Sequence, residues 1–132
     1  MDLPPQTLAL IAHIEAMPGV RWITAMTRGG APKPLSRRYK VADKMFAIIS
    51  LTAEPFVILK CDPHLIEVLK ETYSGVGHRS HLDHRHWLCF QLDADVPAEE
   101  TNRLTDAAYD LVRAGLTKKQ QAELARAAPS LT

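Results

Sequence analysis

Three strand-like runs follow one another between Arg37 and Cys61 with no room for a crossover helix. Arg37 to Ala42 is polar and basic, Lys44 to Leu51 (KMFAIISL) is apolar, and Pro55 to Cys61 (PFVILKC) is apolar again. Parallel neighbours need a connection of about a dozen residues or more, so these runs must pair antiparallel. Asp43-Lys44 serves as a tight turn between the first two, and Thr52-Ala53-Glu54 as a short loop before the third. Alternation along the last two runs is weak. Phe46 and Ile48 oppose Met45, Ala47 and Ile49; Val57 and Leu59 oppose Phe56 and Ile58. A sheet with one wet face alternates more cleanly, so both faces of these strands are expected to be at least partly covered.

The flanks supply helices. Leu10, Ile11, Ile14 and Met17 recur at helical spacing behind Pro4-Pro5, and Met17-Pro18-Gly19 stops the run. Val20 to Met26 (VRWITAM) is strand-like and leads into the Gly/Pro loop Thr27 to Pro34. Asp62-Pro63 opens a second helix, with the carboxylate as N-cap and proline in the first helical position. Its expected buried stripe is Leu65, Ile66 and Leu69, extended by Tyr73, and Ser74-Gly75-Val76-Gly77 ends it. A strand follows from Trp87 to Leu92. A third helix buries Leu104, Ala108, Leu111 and Val112, with Gly115 as its C′ residue. Thr117-Lys118-Lys119-Gln120 matches a capping box. The segment 118–132 has only Leu124 and alanines to bury, so a marginal C-terminal helix is expected there. The order is a helix, an antiparallel meander, then helix, strand and helix. It predicts one α+β domain over residues 1–132, an antiparallel sheet with helices packed mainly on one face.

At 132 residues one domain buries a real core without staples. The net charge of +1 excludes a polyelectrolyte binder, so any attraction to phosphate must come from local clustering. No apolar run approaches the roughly 20 residues of a membrane helix, and no membrane partner is expected. Met1 to Pro5 carries no basic leader, and Cys61 and Cys89 read as small buried hydrophobes. Cytoplasmic residence is the default expectation.

The chemistry-bearing stretch is His78-Arg79-Ser80-His81-Leu82-Asp83-His84-Arg85-His86-Trp87. His84 and His86 would share a face in a strand, but the histidines fit no compact zinc spacing and neither cysteine stands in a CxxC pair. No metal and no cofactor are expected. The plain alternative is a polar loop whose imidazoles bond to backbone or to Asp83. His81, His86, Asp83 and Asp62 are the only acid–base candidates, and no nucleophile elbow, HExxH or phosphate loop is present. Enzymatic activity is therefore the lesser expectation. A small-molecule pocket beside this loop, lined by His81, Arg85, His86 and Trp87, is the rival reading.

A basic segment offers a different role. Between Arg28 and Lys44 six cations, Arg28, Lys33, Arg37, Arg38, Lys40 and Lys44, face one acid, Asp43. Arg37 and Tyr39 share one strand face, Arg38 and Lys40 the other. Such a hairpin suits a phosphate backbone, with Lys60 and Arg85 extending it and Trp87 stacking on a base. The expected nucleic-acid-binding set is Arg37, Arg38, Lys40, Lys44, Lys60, Arg85 and Trp87. It matters only if these groups gather on one surface. Charges that merely keep an edge strand apart from its neighbours would explain the same residues.

Four runs carry a family resemblance: Tyr39-Lys40-Val41 with Lys44-Met45-Phe46-Ala47, Leu59-Lys60-Cys61-Asp62-Pro63, His81 to Trp87, and Ala107 to Val112 with Gly115 to Lys119. In order and spacing they resemble the MmcQ/YjbR family. The resemblance implies a CyaY-like, double-wing α+β fold and a DNA-binding role, with no established catalytic set. That family usually carries asparagine and lysine where this chain has Asp83 and His84. The segment from Arg21 to Pro34 also departs from its Phe-Pro-Phe-Gly-like stretch. DNA is thus the expected partner, and the expected state is a monomer or a weak homodimer.

Overall fold

The two-residue turn Ala42-Asp43 organises the sheet. Both residues adopt left-handed backbone, with φ of 49° and 64°, as a type I′ hairpin requires. The turn sits one residue earlier than Asp43-Lys44, so Lys44 is already the first residue of the returning strand. In the computed structural model, which describes residues 3–52, 54–77 and 82–126, this turn joins β2 (Pro34–Val41) to β3 (Lys44–Ser50). The other strands are β1 (Val20–Met26), β4 (Phe56–Lys60), β5 (Val76–Gly77) and β6 (Trp87–Gln91). They form one antiparallel sheet in the order β1-β2-β3-β4-β6-β5. Val76 and Gly77, expected from the sequence only to end the second helix, form β5 instead.

The weak alternation in β3 has a local cause. Tyr39 pairs with Ala47 but Lys40 pairs with Met45, so Phe46 is an extra residue, a β-bulge. Phe46 and Ala47 are consequently both buried in the same core. Further along the sheet both faces are covered, as expected: Val57, Leu59, Leu88 and Phe90 belong to the main core, while Ile58 and Cys89 are buried outside it.

Four helices, α1 (Pro5–Glu15), α2 (Pro63–Thr72), α3 (Ala98–Ala114) and α4 (Lys118–Arg126), contribute to one apolar cluster with the inner sheet face. They supply Leu10 and Ile14, Ile66 and Leu69, Leu104, Ala108, Tyr109 and Val112, and Leu124, respectively. The Tyr109 ring meets Phe46 edge-on at 5.6 Å, and its hydroxyl donates to the Pro18 carbonyl at 2.6 Å. The helical α+β prediction holds, and among the described residues no helix is long and apolar enough to cross a membrane.

Helix details depart from expectation in three places. Leu65 and Leu111 are exposed, so neither belongs to its helix's buried stripe. In α3 the stripe includes Thr101 and Thr105 instead, whose hydroxyls donate to the Pro97 and Thr101 carbonyls one turn back. Gly115 is right-handed, with φ −86°. Its amide and that of Leu116 bond three residues back, to Val112 and Arg113, so the chain tightens into the next helix without reversing its twist. The Asp62 N-cap and the Thr117/Gln120 capping box both form: Asp62 accepts from the His64 amide at 2.8 Å, and Thr117 and Gln120 bond reciprocally at 3.0 and 3.1 Å.

Helix α1 starts on Pro4, which offers no side-chain cap. A distant turn supplies one. Asp93 accepts from the Gln6 amide at 3.3 Å and the Thr7 hydroxyl at 3.1 Å, while its own amide donates to the Gln6 carboxamide at 2.7 Å. A carboxylate at that end also meets the positive pole of the helix.

Candidate nucleic-acid interface

The antiparallel register decides which of the basic residues meet. The helices cover the inner face, so outer-face residues are those paired out of phase with Tyr39, Val41 and Ala47. Pairing puts Arg21 beside Lys40, Lys40 beside Met45, and Lys60 beside Trp87. Since Leu59 pairs with Ala47, Lys60 falls next to the Met45-Phe46 bulge. Arg21, Lys40, Met45, Lys60 and Trp87 therefore form one row across β1, β2, β3, β4 and β6. At the usual strand spacing the row spans about 19 Å. A second row runs Ile23, Arg38, Ile48, Ile58, Cys89.

Within the first row Lys60 Nζ sits 5.7 Å from the Trp87 ring centre, a cation–π contact that holds the half-buried indole beside a charge. Arg21, Arg38 and Lys40 make no ion pair among the described residues, so their charge is available. The acids near this end are Asp43 in the hairpin turn and Glu123 of α4, which line one hollow with Arg21 and Lys40. Two shallow hollows flank the row. One, of about 590 Å³, opens between Arg21, Trp22, Ile23 and Lys40 and the α4 residues Gln120, Glu123 and Leu124. The other, of about 530 Å³, is floored by Ile23, Ala25 and Met45 and edged by Arg38, Lys40 and Asp43.

The structure divides the expected set. Arg38, Lys40, Lys60 and Trp87 share the outer face. Arg37 does not. It lies on the helix side, 2.6 Å from the Glu15 carboxylate, which also accepts from the buried Tyr39 hydroxyl at 2.9 Å. Burial works against the Arg37 charge, but hydrogen bonds to Glu15 and Tyr39 outweigh it and its pKa rises. Burial first, then the bond to Glu15, pushes the Tyr39 phenol well above its ordinary range. Lys44 pairs with Val41 and shares its parity with Phe46, so it stands exposed at the hairpin end on the helix side. The basic hairpin is thus split between two faces and one of its arginines is neutralised. Arg21, not foreseen as a contact, joins the row instead. The only sequence signal for it is its odd-even phase in VRWITAM.

The histidine loop is a turn capped by Asp83. Asp83 accepts from the Arg85 amide at 2.9 Å and from His86 Nδ1 at 2.6 Å, and its carbonyl accepts from the His86 and Trp87 amides. The His86 bond, followed by that from Arg85, holds the Asp83 carboxyl below the usual carboxylate range. His86 is so engaged in its own turn that it lines neither hollow, and nor do Arg85 and Trp87. His81 lies outside the described residues. The hollows therefore give no support to a pocket at this loop. Among the described residues no group of three or more His, Cys, Asp or Glu side chains could hold a metal ion. Arg85 is exposed at the tip of the turn, one step beyond Trp87 and the end of the row.

Comparison with known proteins agrees with this architecture. A 71-residue stretch is 37% identical to the Escherichia coli K12 protein YjbR, which is uncharacterised, and covers 53% of this chain and 60% of that one. The Escherichia coli O157:H7 counterpart matches to the same degree. The alignment therefore spans less than two thirds of these relatives' own length. The crystal structure of the Deinococcus radiodurans protein DR2400, of domain type DUF419, superposes with a TM-score of 0.76 at 25% identity, over 100% of this chain and 96% of that one. A Pseudomonas syringae protein shares the fold with a TM-score of 0.53 at 19% identity, over 67% of this chain and 86% of that one. The YjbR family model matches residues 15–111, from the end of α1 to late α3, and the chain belongs to the YjbR family.

Proposed function

We propose that the protein binds DNA across the helix-free face of its sheet. One observation carries the reading: Arg21, Lys40 and Lys60 lie in a single cross-sheet row that ends on Trp87. A file of cations about 14 Å long can track a phosphate backbone, and an indole one strand further on offers a stacking platform for a base. Arg38 in the next row and Arg85 beyond Trp87 widen the positive strip. Arg37 and Lys44 take no part. The apolar floor between the cations, Ile23, Met45 and Ile48, favours unstacked bases over a closed duplex, because a flat sheet face enters neither groove. Single-stranded DNA is accordingly the preferred ligand.

A salt titration tests this. Three to five phosphate contacts on a single strand require log K to fall against log salt with a slope between about −2 and −3.5. Lys40→Glu should abolish binding while the fold is retained. No binding of a labelled oligonucleotide at low salt, or a flat slope, would remove the reading.

A further inference from the structure

The two edges of the sheet are unlike. β5 is two residues long and offers almost nothing to pair with. β1 has seven residues, no proline, and one charged side chain, Arg21. Its register is interrupted only at its end, between Ala25 and Met26. Trp22, Ile23 and Met26 are 41%, 61% and 46% exposed. Native edges are ordinarily blunted by short length, charge, proline or a bulge, and along Val20 to Ala25 β1 has only the single charge of Arg21.

The main chain says which groups are unpaired. In a two-residue hairpin the residues flanking the turn, Val41 and Lys44, exchange hydrogen bonds, so Val41 turns its main chain toward β3. Alternation then turns Lys40 and Arg38 toward β1, where they meet Arg21 and Ile23. Trp22 and Thr24 are left with amides and carbonyls facing outward. The Val20 amide, in the same phase, bonds to the Met17 carbonyl and not to β2.

We infer that β1 pairs antiparallel with β1 of a second copy, with Ile23 on the two-fold axis, to continue the sheet through both chains. The strand is its own complement in that register. The outward-facing Trp22 and Thr24 become hydrogen-bonded partners across the axis. Ile23 meets Ile23 of the second copy as a non-hydrogen-bonded pair, the closer kind, on the outer face. Arg21 falls opposite Ala25, so no like charges oppose each other. Val20 falls opposite Met26, which covers the exposed methionine.

Charge selects a second copy over an unrelated strand. Just past Met26 the incoming chain carries Arg28, on the side of the Pro18-Gly19 turn that precedes β1. Gly19 of that turn lines the hollow that Glu123 of α4 also lines. Two-fold symmetry makes the same pairing twice. A strand pair of this length buries less than a standard interface, so the dimer should be weak. It would bring the Arg21, Arg38 and Lys40 strips of both copies together on one outer face. The pairing itself does not depend on the DNA reading, because it is measured without nucleic acid.

Sedimentation of the full chain from about 1 to 300 μM, the range of weak interfaces of this size, tests it. The mass should rise from 14.7 kDa toward twice that value. Ile23→Lys places a charge on the axis at a largely exposed position, and should weaken association at least about 10-fold with unchanged circular dichroism. Arg28→Glu should also weaken it, and adding Glu123→Arg should restore it. A wild-type mass of 14.7 kDa throughout would overturn the inference, as would a dimer indifferent to Ile23→Lys. A monomer that binds a foreign extended peptide along β1 would equally overturn it.

Discussion

Arg37 and Arg38 are adjacent in the chain and face opposite sides of β2. The Arg37 guanidinium reaches Glu15 at 2.6 Å on the helix side, and Arg38 stands between Ile23 and Ile48 on the open side. Substitution should separate their roles. Arg38→Ala should reduce the salt slope of DNA binding by about 1 and leave stability within about 0.5 kcal/mol. Arg37→Ala should leave the slope unchanged and cost about 1–2 kcal/mol, since its partly exposed ion pair is worth less than a buried one. Urea melts of both variants, set beside fluorescence anisotropy, check the pair.

Trp87 should report binding directly. Trp22, the other indole, lies on the opposite face, tilted against Tyr39 with ring centres 6.1 Å apart. In a Trp22→Phe background, single-stranded DNA should quench the remaining emission, because a base stacks on the ring that Lys60 now covers. Duplex DNA of the same sequence should quench it less. Equal quenching by both would assign the face to duplex.

Alkaline pH should destabilise the fold. Burial pushes the Cys61 thiol up to about 11, and raises the Tyr39 and Tyr109 phenols as well. Groups whose pKa is raised by folding hold their protons in the native state, so their contribution is complete below the unfolded values, about 8.5 for cysteine and 10 for tyrosine. It is lost as pH climbs toward the folded values. The urea midpoint should therefore decline from about pH 9 upward, and Cys61→Ser should remove the first part of that decline. A midpoint constant to pH 11 would contradict the burial argument.

The hairpin turn can be improved. Ala42 occupies left-handed backbone at φ 49°, which costs a residue with a β-carbon about 1 kcal/mol. Ala42→Gly should raise stability by up to about 1 kcal/mol, offset in part by the greater freedom of glycine in the unfolded chain. Equilibrium unfolding with an unchanged m-value reads this out.

Gly19 and Leu124 should act as a unit. Gly19 has φ 72°, and a β-carbon there would strike the Leu124 side chain, the sole buried residue of α4. Gly19→Ala should cost about 2 kcal/mol from backbone strain and lost packing. Leu124→Ala should cost about as much, and the double variant distinctly less than the sum. Hydrogen exchange across 118–126 should accelerate in each.

Much of the fold was readable because it rests on local rules. Close strand spacing dictated antiparallel pairing, Asp62-Pro63 and Thr117 to Gln120 announced helix starts, and the phase of Arg38 and Lys40 on β2 was plain. What escaped depends on partners far along the chain. Glu15 neutralises Arg37 from another element, and Arg21 joins the cationic row only through a register set by the Ala42-Asp43 turn. The Phe46 bulge puts two successive residues of β3 into one core, and Thr101 and Thr105 can be buried because each hydroxyl finds a carbonyl one turn back. β5 is too short to carry a pattern.

The bracket between Gln6 and Asp93 joins residues 87 positions apart. During synthesis α1 therefore leaves the ribosome well before the turn that caps it. Until residue 93 has been added, Leu10 and Ile14 have no complete core to enter and the helix start lacks its cap. Closure of this end of the domain must wait for that later turn.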